Sequence, residues 1–528
     1  MTRLKKILAV LLAALMVLSL LAGCGGKQPK GDNKGTPQTP GSQPGGSPTA
    51  DPNETKALKI AAMQDSGTLY PLGVTGGFIS VLYAFYEPLY DTLPDGTRVW
   101  ILAEGLERVS DLQYTLKIRK GVTFSNGNPL TAEDVLFTMQ KCKENPQFAL
   151  NVKVVDFEKT KVIDDYTIDL WYTEYNASQE PGMASMFIMD KESFDESVLA
   201  RTPIGTGPYV LEDYVTNSHV KCKAREDYWR GAPKIKNLEF KVINESAQMV
   251  NALETGDVDV AYVSISEVDY VESLGYNVRV TNSGYNYVTL FSMRPDGPLA
   301  TKEARWAVSH AIDRQAIVDV VFDGLSSVPR YPSSESMADF EERFANMHET
   351  YSIGYDPERA KTLAQQSGLA GKTLKLITNG SSDQNTIAEI IQANLLDIGV
   401  NAEIVNYDQA TYFSILMDAN NFDIALFTPS APSMLAVDVM AMYLTFIPLG
   451  WTGPVRDQYM AMAMDAISTY DPKERNDKLY EALKIFVEED PWFSLCEVVS
   501  SRAINPNLTG IEPMITGIFY YYNLEFTA

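Results

Sequence analysis

At 528 residues the chain is too long for one hydrophobic core and points to about three domains. Its 45% hydrophobic and 10% aromatic content is that of a folded globular protein. The formal charge of −24, or −27 once Arg3, Lys5 and Lys6 of the first 23 residues are set aside, excludes a nucleic-acid surface and flat binding to anionic lipid. It reads as a solvated acidic surface.

Residues 1–23 have the parts of a secretory signal peptide: the three cations, then an apolar run from Ile7 to Leu21 that is too short to span a bilayer comfortably. Leu21-Ala22-Gly23-Cys24 resembles the bacterial lipobox, which implies lipidation at Cys24. From there to Lys56 the chain is rich in Gly, Pro, Ser, Thr and Gln and cannot bury a core. About 30 such residues make a disordered tether with a reach of about 30 Å.

The body is expected to open with a strand over Leu58–Met63, a glycine-bearing loop over Thr68–Phe78 and a helix through Tyr86–Tyr90. Leu112–Arg119 alternates as a strand. Thr131 starts a helix, with Asp134 as its capping-box partner. In Pro203–Tyr209, two glycines and two prolines set a tight reversal, the glycines accepting positive φ. The Gly-x-Gly there is a poor phosphate loop, because Pro208 has no N–H and no helix follows. Val220, Cys222 and Ala224 alternate with charged residues, so Thr216-Asn217-Ser218 should turn a hairpin.

Beyond residue 288 the pattern is mixed α/β. Apolar residues recur from Ala304 to Phe322 at helical spacing and Gly324 stops the run. Asp356-Pro357 and Asp471-Pro472 each place an N-cap before a first-turn proline. Ile387, Ile391, Leu395 and Ile398 stripe another helix, and the strand Ala402–Val405 follows, so parallel pairing is expected.

No catalytic or metal constellation stands out. His219, His310 and His348 are scattered, and neither a Gly-x-Ser-x-Gly elbow nor a His-Glu-x-x-His motif occurs. His310 and Asp313 form only an i,i+3 pair on an expected helix. Cys142, Cys222 and Cys496 read as buried free thiols, with room for one pair. The chain is therefore expected to be no enzyme and to need no cofactor or metal.

Several blocks together carry a family resemblance. Glu87-Pro88-Leu89, Leu116–Val135, Pro203–Tyr209, Asp227–Lys234, Leu253–Val260, Ala311–Arg314, Tyr355–Ala360 and Leu396–Val400 occur in this order. They resemble those of bacterial extracellular solute-binding proteins of family 5, the oligopeptide- and dipeptide-binding-like subunits of ABC importers. The resemblance implies an α/β, periplasmic-binding-protein-like (type II) two-lobed fold with mixed sheets and an inserted domain. It assigns 57–95, 201–287 and 491–528 to the main lobe, 96–200 to the inserted domain and 288–490 to the second lobe, with 24–56 as the tether. It further implies a monomer on the outer face of the cytoplasmic membrane, held there by its lipid anchor alone. Such a protein would capture an oligopeptide or similar small solute for the permease subunits.

By the same analogy one cleft wall is the loop Val74-Thr75-Gly76-Gly77-Phe78, whose glycines would let an extended ligand approach the backbone; the alternative is an ordinary turn. The other wall is expected beyond Phe422-Asp423, with Phe427, Thr428, Ser430, Ser433 and Trp451 as candidates, the two aromatics serving either ligand or core. Peptide-binding members carry an ammonium-anchoring aspartate shortly after the Phe-Asp pair, but Thr428–Ser433 has no carboxylate, and Asp438 would substitute only if the loop were shorter. That departure makes a non-peptide ligand such as an oligosaccharide the alternative. Arg294 is a second departure, either a partner for a ligand anion or a solvated charge. A cell-surface hydrolase is the reading of another class.

Overall fold

The computed structural model describes residues 51–74, 76–93, 97–178, 182–183, 186–429, 435–512 and 518–527. The signal peptide, Cys24 and nearly all of the tether lie outside the described residues, as do Thr75, Ser430 and Ser433.

Strand β1 (Ala57–Ala62) begins the body one residue ahead of the expected start. β2 (Tyr90–Thr92) pairs with β3 (Arg98–Trp100) in a small ribbon. β4 (Ala103–Arg108), β5 (Gln113–Ile118), β6 (Lys161–Asp164) and β7 (Thr167–Trp171) form a separate antiparallel sheet in the order β4-β5-β7-β6. Helix Ala132–Glu144 packs on it, started as expected by Asp134, whose carboxylate accepts the Thr131 N–H at 2.8 Å.

The remaining strands are β8 (Tyr209–Val215), β9 (His219–Ala224), β10 (Asn237–Val242), β11 (Val260–Val263), β12 (Asn277–Phe291), β13 (Thr373–Thr378), β14 (Asn401–Asn406), β15 (Ile424–Phe427) and β16 (Trp492–Ile504). With β1 they make one mixed sheet in the order β14-β13-β15-β12-β16-β11-β1-β10-β9-β8. β13 pairs parallel with both β14 and β15, as the strand–helix–strand pattern requires.

The long antiparallel pair β12–β16 joins two regions. Val288, Leu290 and Phe291 of β12 and Trp492, Phe493 and Leu495 of β16 belong to one core. At the other end of β16, Ala503 and Ile504 belong to two different cores. Between these ends the register breaks twice, between Asn282 and Asn286 and again between Tyr287 and Val288. In this stretch β12 and β16 pair only with each other, and broken register loosens such a pairing.

Four of the signature blocks, those holding Glu87, Phe124, Gly205 and Tyr228, meet in one knot. A Cβ on Gly205 would lie 2.2 Å from the Phe85 carbonyl oxygen, and one on Gly207 would lie 2.5 Å from the Phe85 carbonyl carbon. Neither glycine has positive φ, so close backbone approach, and not the left-handed conformation expected, is what excludes a side chain here. Gly207 N–H donates to the Phe85 carbonyl and Tyr209 N–H to that of Ala84, both at 2.9 Å. The buried Arg225 guanidinium donates to the carbonyls of Thr123, Phe124, Gly205 and Gly207 and to the Asp227 carboxylate. Glu87, fully buried, accepts from Tyr228 Oη at 2.7 Å and Trp229 Nε1 at 2.9 Å, and burial pushes its pKa up.

Two helix expectations are corrected. The helix expected through Tyr86–Tyr90 does not form: the helix Ile79–Leu82 ends before it and Tyr90 already starts β2, because Pro88 disfavours helix at the residue before it. The run expected as one helix is two, Lys302–Ala311 and Arg314–Phe322, because the Asp313 carboxylate accepts the Ala316 N–H at 3.0 Å and caps a new start. His310 is thereby separated from Asp313 and bonds the Gly354 carbonyl instead. The hairpin turn at Thr216–Ser218 forms with Asn217 at φ 58°, and Asp356 and Asp471 cap their helices. Cys142, Cys222 and Cys496 are free and buried.

Asp490 closes helix Pro472–Glu489 at φ 49° and is nearly fully buried. It accepts Ser309 Oγ at 2.6 Å, and despite Arg305 and Arg314 nearby, burial pushes its pKa from 3.8 to about 7. A raised folded-state pKa means the group helps stability below 3.8 and that this help is lost as pH rises through about 7. Asp490→Asn keeps the acceptor and tolerates the left-handed backbone. Denaturation at several pH values is therefore expected to show parent and variant alike in acid and the variant more stable, by about 1 kcal/mol or more, above neutrality.

Candidate ligand-binding site

A cavity of about 300 Å³ lies between segment 147–182 and the helices Ala436–Phe446 and Pro454–Ile467. Leu150, Val154, Ala441, Phe446, Met464 and Ile467 give it an apolar lining, and Gln147, Asn151, Asn176 and Ser178 supply amides and a hydroxyl. Asp438 is its one carboxylate and Lys153 its one cation. Leu150 and Phe446 are each 56% exposed and Met464 47%, an apolar mouth of the kind that marks a binding groove.

Several contacts hold the walls together. Ala177 N–H donates to the Ile467 carbonyl at 2.8 Å. Tyr175 meets Tyr470 edge-on at 5.3 Å, and the Arg108 guanidinium lies 3.8 Å over the same Tyr470 ring. The start of helix Ala436–Phe446 is fixed from outside, since the buried Asp339 carboxylate accepts the N–H groups of Ala436 at 2.7 Å and Val437 at 3.1 Å. This sets Asp438, 8% exposed, in the first helical turn, where the helix dipole favours a negative charge.

The expected site residues fall into different places. Val74 and Phe78 are fully buried, drawn into the core by their apolar side chains, so neither lines a ligand wall. Gly76-Gly77-Phe78 forms a 3-10 turn, which corrects the expected strand-like hydrogen bonding to ligand. A Cβ on Gly76 would meet the Gln64 amide at 2.2 Å. Thr75, Ser430 and Ser433 lie outside the described residues.

Arg294, 21% exposed, is no free surface charge but is committed to partners within the fold. Its guanidinium donates to Ala419 O at 3.0 Å, Phe422 O at 2.8 Å, Ser292 Oγ at 2.8 Å and the Asp423 carboxylate at 2.8 Å, pinning the turn that leads into β15. Phe427 ends β15 at 6% exposure, with Tyr443 at 5.3 Å and Phe413 at 6.3 Å, so it is core. Thr428 follows it, half-buried. Trp451 packs at 5.6 Å on Tyr459 and borders a second cavity of about 340 Å³. Thr445 lies in the linings of both cavities, so Trp451 adjoins the Asp438 cavity without entering it.

The sequence reading missed Leu150, Asn151, Asn176, Phe446 and Met464. One signal was available: the helix AVDVMAMYLTF carries a single acid in an otherwise almost wholly apolar run, so its exposed side needs a cover.

Opposite Asn286, beside the register breaks, Glu497 of β16 is buried and accepts Ser327 Oγ and Ser334 Oγ, each at 2.8 Å, the Glu335 N–H at 3.3 Å and the Asn282 amide. It thus joins segment 327–335 to the loosened part of β12. Among the described residues no cluster of three or more His, Cys, Asp or Glu is arranged to hold a metal, and no helix is long and apolar enough to cross a membrane.

Comparison with known proteins gives this geometry its setting. The chain is 23% identical over 463 residues to heme-binding protein A of Haemophilus influenzae, covering 80% of this chain and 83% of that one. It is 24% identical over 451 residues to the glutathione-binding protein GsiB of Salmonella choleraesuis, covering 82% and 86%. The crystal structure of the ABC transporter substrate-binding protein CtaP of Listeria monocytogenes superposes with a TM-score of 0.79 at 23% identity, over 89% of this chain and 99% of that one. The architecture is accordingly the type II periplasmic-binding-protein fold. Proteins of this family are extracytoplasmic solute-binding subunits that work with ABC permeases. The profile of bacterial extracellular solute-binding proteins, family 5 (middle), matches residues 99–446, and the chain belongs to that family.

Proposed function

We propose that this chain, lipid-anchored through Cys24 as a monomer on the outer face of the cytoplasmic membrane, captures a short peptide with a free amino terminus and an apolar side chain. It closes on the peptide by pivoting about β12 and β16 and hands it unchanged to ABC permease subunits. The observation that carries the ligand class is the pairing of Asp438 with an apolar, amide-rimmed cavity. Asp438 offers a ligand ammonium a carboxylate, while Leu150, Phe446 and Met464 offer surface for an aliphatic or aromatic side chain. The relatives' named ligands, heme and glutathione, differ from one another, so the cavity decides the class.

A thermal-shift series of apolar tripeptides, each free and N-acetylated, tests this reading. Free peptides are expected to raise Tm, since binding only the folded state adds about 2.7 kcal/mol at a hundredfold excess over Kd. Acetylated peptides are expected to leave Tm unchanged. Equal shifts from both forms would remove the ammonium from the account, and hydrolysed peptide in the mixture would remove transport.

A further inference from the structure

Asn286 of β12 is 2% exposed, and among the described residues neither its amide nitrogen nor its amide oxygen has a hydrogen-bond partner. Buried amides are rarely left idle, because water satisfies both groups in the unfolded chain and folding then loses those bonds.

The reason lies across the ladder. Asn286 pairs in register with Glu497 of β16, which sets the two side chains beside each other on one face of the sheet. The Glu497 carboxylate is the acceptor this amide needs, and it is full. Oε1 accepts Ser334 Oγ and the Glu335 N–H, and Oε2 accepts Ser327 Oγ and the Asn282 amide. Four donors occupy the four lone-pair directions that a carboxylate offers. Three of them come from segment 327–335. The fourth, Asn282, comes from the same strand as Asn286, across a register break. The two asparagines therefore compete for one place.

The chain between them has slack. From Asn282, opposite Val499, to Asn286, opposite Glu497, β12 has residues 283–285 where β16 has only Val498. Gly284 stands in the left-handed region at φ 77°, and Ser283 Oγ donates to the Val498 carbonyl at 2.8 Å. Such a bulge bends one strand against the other while the flanking pairs hold. A shift here also reaches the ligand wall. Segment 327–335 runs on, through the Met337 N–H to the Ser334 carbonyl and the Phe340 N–H to the Met337 carbonyl, past Asp339. The Asp339 carboxylate caps the helix that carries Asp438. Leu150 and Phe446, each 56% exposed, leave the cavity mouth open in this arrangement.

We propose that Asn282 and Asn286 form a two-position latch on Glu497. With the mouth open, Asn282 holds the fourth place and Asn286 is idle. On closure β12 shifts at its bulge, the half-buried Asn282 withdraws, and Asn286 takes the place. The open form bears the cost of an idle amide and the closed form does not, so the latch biases the hinge toward closure. The latch rests on the closure proposed above.

Melting and small-angle scattering of the full chain without peptide test it, with calorimetric titration of trileucine as a further readout. Asn286→Leu removes the idle amide at similar volume and is expected to raise Tm. Asn282→Asp keeps the acceptor for the Gly284 N–H but removes the donor and sets a like charge beside Glu497. It is expected to lower Tm and, by freeing the place for Asn286, to shrink the radius of gyration. The double variant has no donor to take the place, so its radius is expected to return to that of the parent. Trileucine is expected to bind Asn282→Asp about tenfold tighter than the double variant. Trileucine that fails to bind the parent would count against the peptide reading, and the peptide-free radii would still judge the latch. A radius unchanged in Asn282→Asp, or a contraction that persists in the double variant, would overturn the proposal.

Discussion

Replacing Gly205 by alanine is expected to cost about 3 kcal/mol or more of folding stability, although alanine is the smallest possible addition. The new methyl would lie 2.2 Å from the Phe85 carbonyl oxygen and 2.6 Å from the Tyr86 ring, and neither is a flexible end that can swing away. Backbone must move, and with it the carbonyls of Gly205 and Gly207 that Arg225 holds. That would leave part of a buried guanidinium unsatisfied. Gly105→Ala is the control: its Cβ meets nothing within 4 Å, and the residue is not among the glycines with positive φ. Urea unfolding of both variants should show a large fall in midpoint for Gly205→Ala and almost none for Gly105→Ala. Equal midpoints would mean that the knot is not a rigid contact.

The second large effect is expected at Asp438. Asp438→Asn keeps size and hydrogen bonding but removes the charge, so affinity for free-amine peptides should fall about a hundredfold, or about 2.7 kcal/mol. The ligand-free Tm should fall only modestly: the lost charge gives up its favourable place in the helix dipole, but the helix start stays capped by Asp339. The pairing of a large binding loss with an unchanged fold separates an anchoring carboxylate from a structural one. Unaltered peptide affinity would move the ligand's amine to another part of the cleft.

Much of the fold was legible because its signals are local. The Asp134, Asp356 and Asp471 caps and the Asn217 turn each depend on a few neighbouring residues, and they formed as the sequence implied. The errors arose where a distant partner decides. Nothing near Gly205 in sequence announces the Phe85 backbone, and nothing near Asp313 distinguishes a helix interior from a cap. Arg294 looked uncommitted only because its acceptors, at residues 419–423, are more than a hundred positions away. The site was less legible than the fold for the same reason. Its walls come from residues 147–182 and 438–467, brought together by tertiary packing alone, while the glycine loop and Phe427, conspicuous in sequence, went to structural work.

The central claim is that two lobes shut about β12 and β16 around a guest. Small-angle X-ray scattering of the full chain, titrated with the best free-amine tripeptide from the thermal series, tests it most directly. The account predicts a radius of gyration that falls as the peptide saturates and recovers when it is dialysed away intact. A radius that stays constant at saturation would contradict it.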